Sequence, residues 1–209
     1  MIDLSLGYRG VPGMFSPEDA TTIQLAVRRA TPGSAVVETG AWCGRSLAAI
    51  CDVAHASLEV HSYDNYLEDS QAVGEGESVG TAAGPAEATA PITPQVAKQI
   101  RSVVAKHYFA HGVDVRAEVQ EASAAGTIYK GAPISVLFID DHHSAEQLEK
   151  NFASWLPHCA NQCTVLLHDY LHLPYGLQPV AERTLPALGY AYVGWRAGSG
   201  IGIWTRGYK

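Results

Sequence analysis

Val36-Val37-Glu38-Thr39-Gly40-Ala41-Trp42-Cys43-Gly44-Arg45-Ser46 is the stretch from which the fold is read. A short apolar run ends in an acid, Gly40 and Gly44 follow, and a helical pattern runs from Arg45 to Ala56. This describes a strand that delivers its C-terminal end to a glycine turn and a helix start. In open α/β sheets that edge is where nucleotide-like ligands bind. Glycine tolerates positive φ and has no Cβ to hold a ligand away, so Gly40 and Gly44 are candidate contacts. Such turns are common, so the motif gains weight only from what later strands bring to the same edge.

Upstream, residues 1–15 are irregular and rich in Gly and Pro. Ser16-Pro17-Glu18-Asp19 then starts a helix, with Ser as N-cap, Pro at the first position and acids in the first turn. Ile23, Leu25, Ala26 and Ala30 give it an apolar face, and Thr31-Pro32-Gly33 ends it.

Downstream, Leu58 to Tyr63 reads as a second strand ending at Asp64. Asp64 comes one strand-helix-strand unit after Glu38, where nucleoside-binding folds place an acid to accept from ribose hydroxyls. Residues 67–95 are dominated by Gly, Ala, Ser, Thr, Pro and Glu without apolar periodicity, and read as a flexible lid or insertion. A helical pattern returns over residues 94–110, with Lys98, Arg101 and Lys106 read as its solvated face. Val113 to Val119 is a third strand, followed by Gln120, Glu121 and Ser123.

Ile134 to Ile139 is apolar throughout, as suits a strand covered on both faces. It ends in Asp140-Asp141-His142-His143, and Ser144 with Gln147 forms a capping pattern for a helix to Trp155. Thr164 to Leu167 is a fifth strand, ending in His168-Asp169-Tyr170. A helix from Leu177 to Leu188 follows. Tyr190–Arg196 and Ile201–Arg206 then form a hairpin around Ala197-Gly198-Ser199-Gly200. The expected fold is α/β: a Rossmann-like seven-stranded sheet, mostly parallel, closed by an antiparallel C-terminal hairpin, with helices on both faces. It is expected to form a single domain over residues 1–209.

The chain has 209 residues, 47% apolar and 17% charged, with a net charge of −7. That balance fits a globular domain and disfavours nucleic acid as a partner, since no basic surface is available to neutralise phosphates. There is no apolar run long enough for a membrane helix and no secretory leader pattern at Met1-Ile2-Asp3-Leu4, so a cytoplasmic location is expected. Cys43, Cys51, Cys159 and Cys163 are then expected to be reduced thiols. Cys159, Cys163, His168 and His172 have a zinc-like spacing, but the apolar run between them reads as a strand that would separate the ligands.

Four stretches of the sequence carry a family resemblance. Glu38 to Ser46 resembles the first motif of class I S-adenosylmethionine-dependent methyltransferases. More narrowly it is similar to the bacterial small-molecule group that includes macrocin-type sugar O-methyltransferases. Val11-Pro12-Gly13-Met14-Phe15-Ser16-Pro17-Glu18, Phe138-Ile139-Asp140-Asp141-His142-His143-Ser144 and Leu167-His168-Asp169-Tyr170 are similar to the same group. The sequence departs from that pattern at Asp141, where glycine is frequent, and at Ala145, where tyrosine is common. It also departs at His142 and His168, where acids are frequent.

The resemblance implies S-adenosyl-L-methionine as cofactor and O-methylation of a small hydroxylated metabolite or sugar. It implies cofactor contacts from Glu38, Gly40, Trp42, Gly44, Ser46, Asp64, Glu121, Ser123 and Asp140, with Trp42 equally suited to the core. It further implies a divalent metal, Mg²⁺ first, on Asp140 and Asp169 with His168, and relatives of this size that are often homo-oligomers. Methyl transfer is an in-line displacement, so the protein must align the reactants and lower the barrier to losing the acceptor proton. A metal can do the latter as a Lewis acid, or an imidazole can as a general base, His142 first and His143 next, with Asp140 beside them. Two other readings stay open: S-adenosylmethionine chemistry of another kind, such as intramolecular cyclisation, and a non-catalytic cofactor-binding module. A nicotinamide dehydrogenase is disfavoured by the acid before the glycines and by the closing hairpin.

Overall fold

The computed structural model describes residues 2–66 and 92–208. Most of the expected 67–95 lid therefore lies outside the described residues, and its last residues already belong to a helix. The elements in chain order are α1 (Pro17–Arg28), β1 (Ala35–Thr39), α2 (Arg45–Cys51), β2 (Glu59–Asp64), α3 (Pro94–Ala110), β3 (Asp114–Val119) and α4 (Ala122–Ile128). They continue with β4 (Ile134–Ile139), α5 (Ala145–Trp155), β5 (Cys159–Leu167), α6 (Leu177–Thr184), β6 (Ala191–Trp195) and β7 (Gly202–Arg206).

The seven strands form one sheet in the order β3-β2-β1-β4-β5-β7-β6. The first five are parallel; β7 runs antiparallel to β5, and β6 antiparallel to β7. The chain leaves β1 in one direction and returns to its other side at β4. That reversal opens a crevice beyond the C-terminal ends of β1 and β4.

Period-two alternation sorts the strand side chains into two cores. Val36, Phe138 and Leu166 face one side, where Ile23 and Val27 of α1, Leu47 and Ile50 of α2, and Val104 of α3 cover them. Val37, Leu137, Val165 and Leu167 face the other, under Ala125 of α4, Leu148, Phe152 and Trp155 of α5, and Val180 of α6. Central strands apolar on both faces are thus buried on both faces.

Local starts follow the expected chemistry. Ser16 caps α1 by accepting from the Asp19 N–H, and the Asp19 carboxylate accepts from the Ser16 N–H in return. Ser144 caps α5, but the Gln147 side chain turns away to Glu121 and Asn151. The helix expected to reach Leu188 stops at Thr184, and Pro186–Leu188 continues as a 3-10 turn. Pro186 has no N–H to extend the α-helical ladder.

The expected solvated face of α3 is corrected at Arg101, which is 2% exposed. Its guanidinium donates to the Ser62 carbonyl (3.3 Å) and the Glu118 carbonyl (2.8 Å), and lies 5.2 Å from the Tyr66 ring centroid. It ties α3 to the C-terminal halves of β2 and β3 through their backbone carbonyls.

Candidate active site

Four neighbouring strand ends, of β2, β1, β4 and β5, are bound together by backbone. The Asp140 N–H donates to Thr39 O (2.9 Å), His168 N–H to Ile139 O (3.0 Å) and Gly40 N–H to Tyr63 O (2.9 Å). The ladder therefore continues one residue past β1 and β4, and it presents Gly40, Asp140 and His168 side by side.

Gly40 has φ +79, and a Cβ there would sit 2.1 Å from the Asp140 carbonyl oxygen. Gly44 has φ +83, and its Cβ would meet Arg101 at 3.1 Å. Gly40 is thus required by packing as well as by backbone conformation, whereas at Gly44 the positive φ favours glycine and the Arg101 contact is only tight. The glycine turn sits directly against the first residue after β4.

Under the turn, Glu38 is fully buried. Ser62 Oγ donates to its Oε2 at 2.7 Å, and its Oε1 has no hydrogen-bond partner. Burial pushes the Glu38 carboxyl up to about 7, against the pull of the Ser46 and Ser62 hydroxyls and the Arg101 guanidinium. Asp64, half-buried at the end of β2, accepts from the Trp42 N–H (2.7 Å) through Oδ2 and from the Tyr66 N–H (2.8 Å) through Oδ1. It fixes Trp42 at φ 43 and Tyr66 at φ 56, and each oxygen keeps a second lone pair. Trp42 is partly buried against the α1–α3 core, beside Tyr66.

Glu121 is the N-cap of α4. It accepts from the Ser123 and Ala124 N–H groups, the Ser123 hydroxyl and the Gln147 amide. Those bonds hold its carboxyl below the usual carboxylate range despite burial. Ser123 is bound into the same cap.

The densest polar cluster lies after β4 and β5. Among the described residues, Asp140, His143, His168 and Asp169 each offer a ligand atom, and these atoms lie within 4.8 Å of one another. His143 Nε2 is 3.2 Å from both Asp140 Oδ1 and Asp169 Oδ2. His168 Nδ1 is 2.9 Å from Asp140 Oδ1 and 3.5 Å from Asp169 Oδ2. Yet His168 Nδ1 is buried without a hydrogen bond of regular geometry. Four donor atoms crowding one point, one of them orphaned, fit a metal ion better than they fit each other. The donor set of two carboxylates and two imidazoles also suits a divalent ion.

Asp169 is held at φ 50, a conformation rare for a residue with a side chain, and this turns its carboxylate back toward His143 and His168. Burial works against the His168 imidazolium, but Asp140, Asp169 and Asp19 outweigh it and hold that imidazole well above its ordinary range. His143 is raised in the same way, with burial opposed chiefly by Asp140. Burial pushes the Asp141 carboxyl up to about 7 while the Asn151 amide spans its two oxygens at 2.9 and 2.8 Å. Asp141 thereby fastens the cluster loop to α5. His142 is exposed and lines a small cleft with Ile139, Asp141, His143, Leu148, Leu167, His168 and Leu177.

Three contributors were not legible in the sequence. Asp19 Oδ2 lies 3.6 Å from His168 Nε2, while its Oδ1 accepts from Ser199 Oγ (2.7 Å) and the Gly200 N–H (3.0 Å). This is a carboxylate behind an imidazole, which fixes the ring and leaves Nδ1 to face the cluster. Phe15 walls His168 at 6.1 Å between ring centroids, and Tyr175 stacks on His143 at 4.9 Å. Cys159 opens β5 and Cys163 lies within it, whereas His168 follows the strand's far end, so the Cys-His zinc spacing does not form one site.

The fold is shared with solved methyltransferases of low sequence identity. The O-methyltransferase TomG from Streptomyces achromogenes, involved in tomaymycin synthesis and solved with S-adenosylmethionine, is 14% identical, with a TM-score of 0.60 over 93% of this chain and 81% of that one. The O-methyltransferase NovP is 14% identical, with a TM-score of 0.60 over 94% and 82%. The calicheamicin methyltransferase CalS11 is 14% identical, with a TM-score of 0.60 over 91% and 77%. No curated protein sequence matches the chain. A family described as a methyltransferase domain matches residues 37–170, which run from the strand before the glycine turn through the cluster beyond β5. The chain belongs to that methyltransferase-domain family.

Proposed function

We propose that the chain is an S-adenosylmethionine-dependent O-methyltransferase of a small hydroxylated acceptor, assisted by a divalent metal on Asp140, His143, His168 and Asp169. One observation carries the reading: the glycine turn of β1 and the four-donor cluster share a wall, since the Gly40 Cβ position would fall on the Asp140 carbonyl. A nucleoside sulfonium at the turn and an oxygen acceptor at the cluster would then be neighbours, as in-line transfer requires. The three similar structures named above are methyltransferases, two of them named as O-methyltransferases.

S-Adenosylmethionine would supply a methyl group on a positively charged sulfur, with a neutral thioether as the leaving group. A divalent ion would supply Lewis acidity that makes the acceptor hydroxyl easier to deprotonate. Everything else falls to the chain. Asp64 keeps lone pairs for ribose hydroxyls, and Trp42, whose N–H Asp64 holds, sits beside them. Glu38, fully buried, braces the turn through Ser62 and Arg101. Gly40, Gly44 and Ser46 shape the turn, and Glu121 with Ser123 forms the α4 start on the same sheet edge. His143 and His168 act through ring nitrogens that face the carboxylates. His142, at the lip of the cleft, is placed to take the acceptor proton. Two imidazoles in the donor set favour Mn²⁺, Fe²⁺ or Zn²⁺ over Mg²⁺.

Product analysis tests the proposal. Incubation with cofactor, Mn²⁺ and a panel of hydroxylated acceptors should yield S-adenosylhomocysteine and a methylated oxygen, and Asp140→Ala should abolish both. Methylthioadenosine as product would mean cyclisation, and cofactor binding without turnover on any acceptor would mean a binding module. A cytoplasmic setting and a single domain belong to the same proposal. In the described residues no helix is long and apolar enough to cross a membrane.

A further inference from the structure

At the other end of β5 from the metal-ligand cluster, the strand carries a second group of reactive side chains. Against β4, Cys159 pairs with Ile134 and Thr164 pairs with Val136. A two-residue step on β4 is matched by a five-residue step on β5, so three extra residues bulge out. Cys159 and Thr164 are therefore only about 7 Å apart along the sheet, and the chain folds Cys163 back toward Cys159. The Cys159 thiol donates to the Trp155 carbonyl and the Cys163 thiol to the Thr164 carbonyl, both at 3.7 Å, and the two sulfurs are neighbours that shift one another's titration. Both cysteines are free; Cys163 is buried and Cys159 partly exposed.

The surroundings are equally specific. The buried Tyr190 hydroxyl has no hydrogen bond of regular geometry and faces both sulfurs. The Arg206 guanidinium stacks over the Tyr190 ring at 4.6 Å and donates to the Cys159 carbonyl (3.0 Å) and the Ala160 carbonyl (2.8 Å). A cation and a hydroxyl beside one accessible thiol, with a second thiol in contact, is the environment that selects a reactive cysteine.

We propose that Cys159 and Cys163 are a dithiol that hydroperoxides oxidise to a disulfide, with Cys159 as the attacking sulfur and Cys163 as the resolving one. The Cys159 thiolate attacks the hydroperoxide; an S–O bond forms, the O–O bond breaks and an alcohol (water, from hydrogen peroxide) leaves. Cys163 then attacks the sulfenic sulfur; an S–S bond forms, the S–O bond breaks and water leaves. The two thiols lose two electrons and two protons, and the hydroperoxide is reduced by the same two electrons. The roles follow exposure first, since Cys159 is partly exposed and Cys163 is buried, and the local electrostatics agree. The Cys163 thiol, with Tyr190 and Arg206, holds Cys159 below the usual thiol range despite its burial, whereas contact with Cys159 and burial push Cys163 well up. A low-pKa accessible thiol beside a buried partner is the arrangement of a redox-active pair.

The test uses the full chain without cofactor or metal, so it stands apart from the methyl-transfer reading. Reduced protein is treated with hydrogen peroxide and its mass followed, with peptide mapping of the product. Loss of two hydrogens within the peptide holding Cys159 and Cys163 is expected, reversed by dithiothreitol. With Cys163→Ser, Cys159 should accumulate as a sulfenic acid trapped by dimedone; with Cys159→Ser, neither adduct nor disulfide should form. Arg206→Met should slow oxidation by about tenfold. A disulfide involving Cys43 or Cys51, or Cys159 oxidising no faster than those buried cysteines, would overturn the proposal. Should Cys163→Ser fail to fold, the wild-type peptide map decides alone.

Discussion

Asp19→Asn tests whether α1 reaches into the active site. Asp19 is 4% exposed and its oxygens are divided between two tasks. Oδ1 accepts from Ser199 Oγ and the Gly200 N–H; Oδ2 accepts from the Ser16 N–H and hydroxyl and faces His168 Nε2 at 3.6 Å. Asparagine has one carbonyl oxygen and an NH₂ group, so whichever way it turns, one pair of donors meets a donor. Two bonds to a charged acceptor at about 1.5 kcal/mol each amount to about 3 kcal/mol of stability. For a chain of this size that is a fall of about 6–12 °C in Tm. Losing the carboxylate behind His168 should also weaken metal binding by about 10–100-fold. Ser199→Ala separates the two effects. It removes two bonds, the one to Asp19 and the one from the Ile201 N–H, costs about 2 kcal/mol and leaves His168 its partner, so metal affinity should hold. Scanning calorimetry and Mn²⁺ titration read both quantities. An Asp19→Asn protein with unchanged Mn²⁺ affinity would refute the role assigned to Asp19.

Further outcomes follow from the same structure. Burial raises the Glu38 carboxyl from 4.5 to about 7, so the folded state holds a proton that the unfolded state releases in that window. The Glu38 contribution is full below about 4.5 and is lost as pH rises through about 7, about 3 kcal/mol in all, and Glu38→Gln should flatten that slope in urea denaturation across the window. Gly40→Ala puts a Cβ 2.1 Å from the Asp140 carbonyl at φ +79, whereas Gly33→Ala, at φ +78, meets nothing within 4 Å. Gly33→Ala should cost about 1 kcal/mol of strain alone, and Gly40→Ala well over twice that, with cofactor affinity lost, both by denaturation and calorimetry. Arg101→Lys offers one ammonium where a planar fork spans the Ser62 and Glu118 carbonyls, and should lose about 2 kcal/mol by the same denaturation assay.

Much of the fold is written in periodicity. Apolar runs such as Ile134–Ile139, alternating with capped helices and closed by a hairpin, lead to the observed sheet. What escaped was tertiary. Cys159-Ala160-Asn161-Gln162 is too polar to read as strand, and it joins β5 only because the bulge beside Ile134 accommodates it. Arg101 looks like an exposed helix charge until the ends of β2 and β3 supply its acceptors. Asp19 reads as a helix-capping acid, which it is; nothing local reveals that Ser199 and His168 share its carboxylate. Acids and imidazoles at strand ends were visible as site material. Their division into four converging donors, with His143 among them and His142 at the cleft edge, depends on loop conformation, including the left-handed Asp169.

The most direct measurement is a crystal structure of the protein soaked with Mn²⁺ and S-adenosylhomocysteine, with anomalous scattering recorded at the manganese edge. The account predicts one strong anomalous peak bonded to Asp140, His143, His168 and Asp169, and a nucleoside whose ribose meets Asp64 beside the Gly40 turn. A nucleoside lodged elsewhere, or a metal held by other residues, would contradict it.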